Sequence, residues 1–118
     1  MALRILVAED EYITAFDLCD TFEEAGYEVE GPHAGISSAM LACQKARPDL
    51  ALLDIELVDG LSLELAQKLL DDDVPVILHS DAADTRALAA RFPRATTLEK
   101  PCPPAKLLDT VSDVLTRV

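Results

Sequence analysis

The chain has 118 residues, half of them hydrophobic, enough for one aliphatic core and too few for a second folded module. Its formal charge of −12, from 22 acidic against 10 basic side chains, disfavours nucleic acid and anionic lipid as partners. No apolar run approaches the roughly 18 residues of a membrane span, and no basic-then-apolar start marks a cleaved leader. Aromatic content is 4% and Trp is absent, so the core must be built from Leu, Ile, Val and Ala.

In chain order, short apolar runs alternate with amphipathic stretches, the pattern of βα repeats around a parallel sheet. The first strand is read near 3–8. A helix over about 11–25 follows, with Ala15, Leu18, Phe22 and Ala25 on one stripe and Gly26 as its stop. The second strand, near 27–31, alternates polar with apolar as a half-exposed edge strand does. Helix two is read over about 35–46, ending before Arg47-Pro48, and the third strand, near 49–54, is almost wholly apolar, as a central strand covered on both faces should be. The Asp59-Gly60 turn leads to helix three, about 61–71, and the acidic triplet Asp71-Asp72-Asp73 reads as a solvated helix end. Strand four is placed near 75–80. A short fourth helix, 83–91, is cut by Phe92-Pro93, and strand five near 95–99 precedes a last helix over about 103–117 that buries Leu107, Val111, Val114 and Leu115. The strand order that fits is 2-1-3-4-5 in a doubly wound, flavodoxin-like α/β fold.

Polar groups fall where these buried strands end: Glu9 and Asp10 after the first, Asp54 after the third, Ser80 closing the fourth, Lys100-Pro101 after the fifth. In an open parallel sheet the ligand crevice lies outside the carboxyl ends of the strands, so these residues should meet on one rim. Three carboxylates, a hydroxyl and an ammonium can together hold a hard cation and a phosphoryl group. Singly, each has a plainer reading: a helix cap for Asp10, a turn hydroxyl for Ser80, a solvated charge for Lys100. His79 should point away from Ser80 because side chains alternate along a strand, which assigns it to packing or surface, and His33 is read as a loop residue with no role. Cys19, Cys43 and Cys102 are widely spaced with no metal-ligand pattern, so they read as small core residues in a reducing, cytoplasmic compartment.

This ordered set, over the whole chain, resembles the receiver domain of two-component response regulators. The resemblance implies a single receiver domain over 1–118 that takes a phosphoryl group on Asp54 from a sensor histidine kinase or a histidine phosphotransfer protein. It implies Mg²⁺ held by Asp10, Asp54 and the backbone carbonyl of Glu56, with Glu9 acting through water. Lys100 would neutralise charge on the transferring oxygens, and Ser80 would donate a hydrogen bond from its hydroxyl to the new phosphoryl group. A cis Lys100-Pro101 peptide is expected. On this reading the protein is not an enzyme in its own right and signals by contact with a downstream protein, without an output domain of its own. The start of helix one, with Ile13, Thr14 and Asp17 outside the core stripe, is the expected docking face for the phosphodonor. Two positions depart from the family pattern. Thr97 stands where most receivers carry an aromatic switch residue, which with the shortened fourth helix is similar to an atypical receiver subset, and Asp81 stands where a small residue is common. A degenerate receiver acting by constitutive contact, or a metal-dependent phosphatase with Asp54 as covalent intermediate, are the alternatives.

Overall fold

The alternating pattern becomes alternating strands and helices in a computed structural model that describes residues 2–117. The elements are β1 (Arg4–Ala8), α1 (Tyr12–Glu24), β2 (Glu28–His33), α2 (Ile36–Lys45), β3 (Leu50–Asp54), β4 (Glu56–Leu57), β5 (Gly60–Leu61), α3 (Leu63–Asp71), β6 (Val76–Ser80), α4 (Ala82–Arg91), β7 (Thr96–Glu99) and α5 (Pro104–Thr116). Five parallel strands form the main sheet in the order β2-β1-β3-β6-β7, the expected 2-1-3-4-5 once the small hairpin β4-β5 is set aside.

Each central strand sends alternate side chains to opposite faces, and both faces are covered. Ile5, Val7, Leu50, Leu52, Ile77 and Leu98 pack under α1 and α5 against Leu18, Phe22, Leu107 and Val111. Leu6, Ala8, Ala51, Leu53, Val76 and Leu78 pack under α2, α3 and α4. Cys19 belongs to the first of these cores, as its reading as a small hydrophobe implies, and burial pushes its thiol up to about 11.

Helix α1 stops through a Schellman motif. Gly26 adopts φ +94°, its amide donates to the Glu23 carbonyl at 3.0 Å, and the Tyr27 amide donates to the Phe22 carbonyl at 3.0 Å. The Phe22 and Tyr27 rings meet edge to face at 6.3 Å, the apolar contact that accompanies this cap. Ala25 therefore lies past the last turn and is exposed, whereas Cys19 takes the place it was expected to fill on the buried stripe.

Two sequence expectations need correction. His33 is not in a loop: β2 runs on through Gly31 and Pro32, and His33 pairs with Ala8 across an irregularity in the ladder between Leu6 and Ala8. Only glycine fits at position 31, where φ is +130° and a Cβ would lie 2.6 Å from the Val7 carbonyl oxygen. His33 accordingly sits in a network, with one ring nitrogen 3.0 Å from Ser38 Oγ and the other 3.0 Å from Glu30. Second, the segment between β3 and α3 is a hairpin, β4-β5, and α3 begins two residues later than expected. Helix α4 covers the expected 83–91 with one more residue at its start, and its 10 residues are fewer than the 13 of α1 and α5.

Candidate functional site

The sheet's carboxyl edge collects the residues singled out above. Register places Asp54 beside His79 and Ser80 beside Glu99, and the Lys100 amide donates to the Ser80 carbonyl at 2.8 Å. Lys100 Nζ then reaches across the rim to Asp54 Oδ1 at 2.9 Å and Glu9 Oε1 at 3.1 Å. Carboxylate oxygens of Glu9, Asp10 and Asp54 lie within 4.8 Å of one another. Asp10, Asp54, Glu56, Ser80 and Lys100 share the lining of one open cavity of about 210 Å³. The Lys100-Pro101 peptide is cis.

The plainer readings of single residues give way here. The N-cap of α1 is Glu11, with no side-chain capping bond, so the Asp10 carboxylate is not spent on the helix. Ser80 is 3% exposed and its Oγ has no hydrogen-bond partner among the described residues, an uncommon state for a buried hydroxyl. His79 is buried too, on the opposite face of β6 from Ser80 as alternation requires. Asp81 lines the cavity rather than turning away from it, and Asp84, from the first turn of α4, joins it.

Electrostatics of the rim follow from this crowding. Burial first, then hydrogen bonding and repulsion from Asp54, push Glu9 up from 4.5 to about 7, with Lys100 offsetting only part of the rise. Burial pulls Lys100 down, but the bonds and charges of Asp54 and Glu9 outweigh it and hold the ammonium above its ordinary value. A carboxyl whose folded pKa is raised favours folding while protonated. Its contribution is present below 4.5 and lost as pH rises through about 7. Replacing Glu9 with Gln should therefore raise the melting temperature relative to wild type, by a margin that widens from about pH 5 to about pH 8. A margin constant across that range would mean that Glu9 is charged throughout.

Two further residues shape the site without having been legible in the sequence. Ser62, fully buried ahead of α3, donates its hydroxyl to the Asp54 carbonyl and its amide to the Ile55 carbonyl, pinning the end of β3. Ser62→Ala should cost about 1–3 kcal/mol in urea unfolding, the cost of orphaning a buried acceptor, whereas an exposed serine would cost almost nothing. Asp59, in the hairpin turn, caps α2 from a distance: Oδ1 accepts from the Ile36 amide at 2.6 Å and Oδ2 from the Ser37 amide at 3.1 Å. Those bonds hold its carboxyl below the usual range. An Asp-Gly pair signals its own turn, but nothing in it signals a helix more than twenty residues upstream.

The response regulator receiver domain family model matches residues 5–112. Phyllosphere-induced regulator PhyR of Methylorubrum extorquens is 35% identical over 118 residues, covering 98% of this chain and 44% of that protein. Sporulation initiation phosphotransferase F of Bacillus subtilis is 31% identical over 77 residues, covering 64% of this chain and 61% of that protein. The chain thus spans less than half the length of the first of these relatives and under two thirds of the second. Among solved structures, a putative response regulator from Chloroflexus aurantiacus superposes with a TM-score of 0.87 at 25% identity, covering 99% of this chain and 100% of that one. No helix among the described residues is long and apolar enough to cross a membrane.

Proposed function

The chain belongs to the response regulator receiver family of two-component signalling, and on that premise we propose that it accepts a phosphoryl group on Asp54 in a Mg²⁺-dependent transfer. The observation that carries this reading is the buried, unpartnered Ser80 hydroxyl, which lines the same cavity as Asp54 and Lys100. A hydroxyl held dry without a partner is matched by an oxyanion that arrives later.

The donor is a phosphohistidine on a sensor kinase or histidine phosphotransfer protein. An oxygen of the Asp54 carboxylate attacks phosphorus, the P–N bond breaks, and its electron pair returns to the donor imidazole. Lys100, already 2.9 Å from Asp54, places positive charge beside the transferring oxygens. Attack of water on the resulting acyl phosphate releases inorganic phosphate and restores the carboxylate. Asp10 and Asp54 would supply the hard carboxylate oxygens that Mg²⁺ favours, with the backbone carbonyl of Glu56 as a further ligand and Glu9 contributing through water. The closeness of the three carboxylates and the raised pKa of Glu9 both fit a divalent ion. When bound, Mg²⁺ supplies the charge that the carboxylates otherwise lack as they meet an incoming phosphate. The phosphodonor docks over the start of α1, where Ile13 is 75% exposed beside the exposed rings of Tyr12 and Phe16. The downstream target is another protein, and the compartment is the cytoplasm.

Intact mass before and after incubation with Mg²⁺ and a small acyl phosphate tests the proposal. Wild type should gain one phosphoryl group, and Asp10→Ala should gain none over the same time. If wild type takes no phosphoryl group from that donor or from a phosphohistidine protein, the chain is a degenerate receiver working by constitutive contact. Steady turnover of small phosphoesters would instead favour a phosphatase.

A further inference from the structure

Next to the phosphoryl pocket, between α1 and the start of α5, lies a second cavity of about 480 Å³, with His79 among the residues that line it. His79 is 3% exposed and neither ring nitrogen has a hydrogen-bond partner among the described residues. A buried donor and acceptor left unmatched are costly, and a valine or alanine at this strand position would avoid that cost. A neutral imidazole offers one N–H and one lone pair, and neither is used here. It lies on the opposite face of β6 from Ser80 and is not among the residues lining the phosphoryl cavity.

The remaining walls sort by chemistry. Leu18, Pro104 and Leu107 give an apolar side, while Glu11, Asp17 and Asp81 bring carboxylates. Among the described residues the one cation on the lining, Lys100, is already matched by Glu9 and Asp54. The unmatched charge of the cavity is therefore negative. Its volume falls within the roughly 300–1,000 Å³ typical of small-molecule sites, and an apolar wall with a few convergent polar groups is their usual make-up.

We propose that this cavity binds a small organic cation with a flat apolar body, of the aromatic amidine or guanidine kind, whose N–H groups pair with His79 and the acidic rim while its body lies against Leu18 and Leu107. An occupant would also touch Lys100, and so would sit where the state of the phosphoryl pocket can be sensed.

Benzamidine and its uncharged counterpart benzamide are the probes, titrated into the full chain and followed by amide, methyl and imidazole NMR signals. Benzamidine should give saturable shifts centred on Leu18, His79 and Leu107, with benzamide at least about tenfold weaker. His79→Phe should remove the shifts. Since that change could disturb the core, Asp17→Asn on the exposed helix surface provides a second check: it should weaken benzamidine about threefold and leave benzamide unchanged. Equal binding of the two probes, no saturation by about 10 mM, or shifts centred on Asp54 and Ser80 would each overturn the proposal.

Discussion

Asp54→Asn is expected to take up no phosphoryl group under conditions that fully label the wild type, a loss of at least about a hundredfold in rate, or about 2.7 kcal/mol of transition-state stabilisation. The substitution keeps size and shape but removes the charge that makes a carboxylate oxygen a nucleophile. It should leave the fold intact. Asp54 is only partly buried, Lys100 keeps its ion pair with Glu9 at 3.1 Å, and the Ser62 hydroxyl bonds the backbone carbonyl at position 54 rather than the side chain. Removing the Asp54 charge also removes the repulsion that helps to raise Glu9. Stability near neutral pH should therefore hold or rise, and the variant can be compared with wild type as a folded protein. A labelled Asp54→Asn protein with a base-labile phosphate would move the acceptor to another carboxylate of the same cavity, Asp10, Asp81 or Asp84.

How the sequence led to this rim, and where it stopped, follows from the range of the interactions involved. Strand ends were legible because buried parallel strands are nearly continuous apolar runs, so the first polar residue after each run marks the edge of the sheet. That logic placed Glu9, Asp54, Ser80 and Lys100 in one crevice without knowledge of any contact between them. What remained hidden depends on contacts between distant segments. The Asp59 carboxylate reaches the amides of Ile36 and Ser37, and the Ser62 hydroxyl reaches back eight residues to Asp54; neither leaves a local pattern. The continuation of β2 was missed for a different reason. Gly31-Pro32 looks like a strand breaker, yet on an edge strand proline forfeits no ladder bond on its open side, and Gly31 tolerates the close approach of Val7. Asp84 falls inside the predicted helix 83–91 with nothing local to mark it, and only the placement of the first turn of α4 beside Ser80 brings it to the cavity.

The second large effect is expected in α4. Of its 10 residues only Leu88 is buried, whereas the 9-residue α3 buries Leu65, Ala66, Leu69 and Leu70. At about 1.5–3 kcal/mol for each large apolar side chain removed from water, α4 is held by far less than its neighbour. Its amides should accordingly exchange at least about tenfold faster than those of α3 in the unphosphorylated protein. Thr97 is too small to swing between pockets as a ring does, and it lies half-buried beside Leu78 in the sheet. The element free to respond is then the segment 80–91, which begins at the unpartnered Ser80 hydroxyl. A hydrogen bond from that hydroxyl to a phosphoryl oxygen is made in one state only and can bias the segment by about 1–3 kcal/mol, enough for a partial shift of population. Exchange measured on the phosphorylated form should show its largest changes in 80–91. Ser80→Ala should keep the mass gain while losing that redistribution. A rival route exists, because the hairpin that follows Asp54 is tied to α2 by the Asp59 carboxylate and by the Val58 amide donating to the Ala34 carbonyl at 3.0 Å. If α4 proves as protected as α3 and the changes fall instead at 34–38 and 56–61, the signal leaves through the hairpin and α2, and the Ser80 route is wrong.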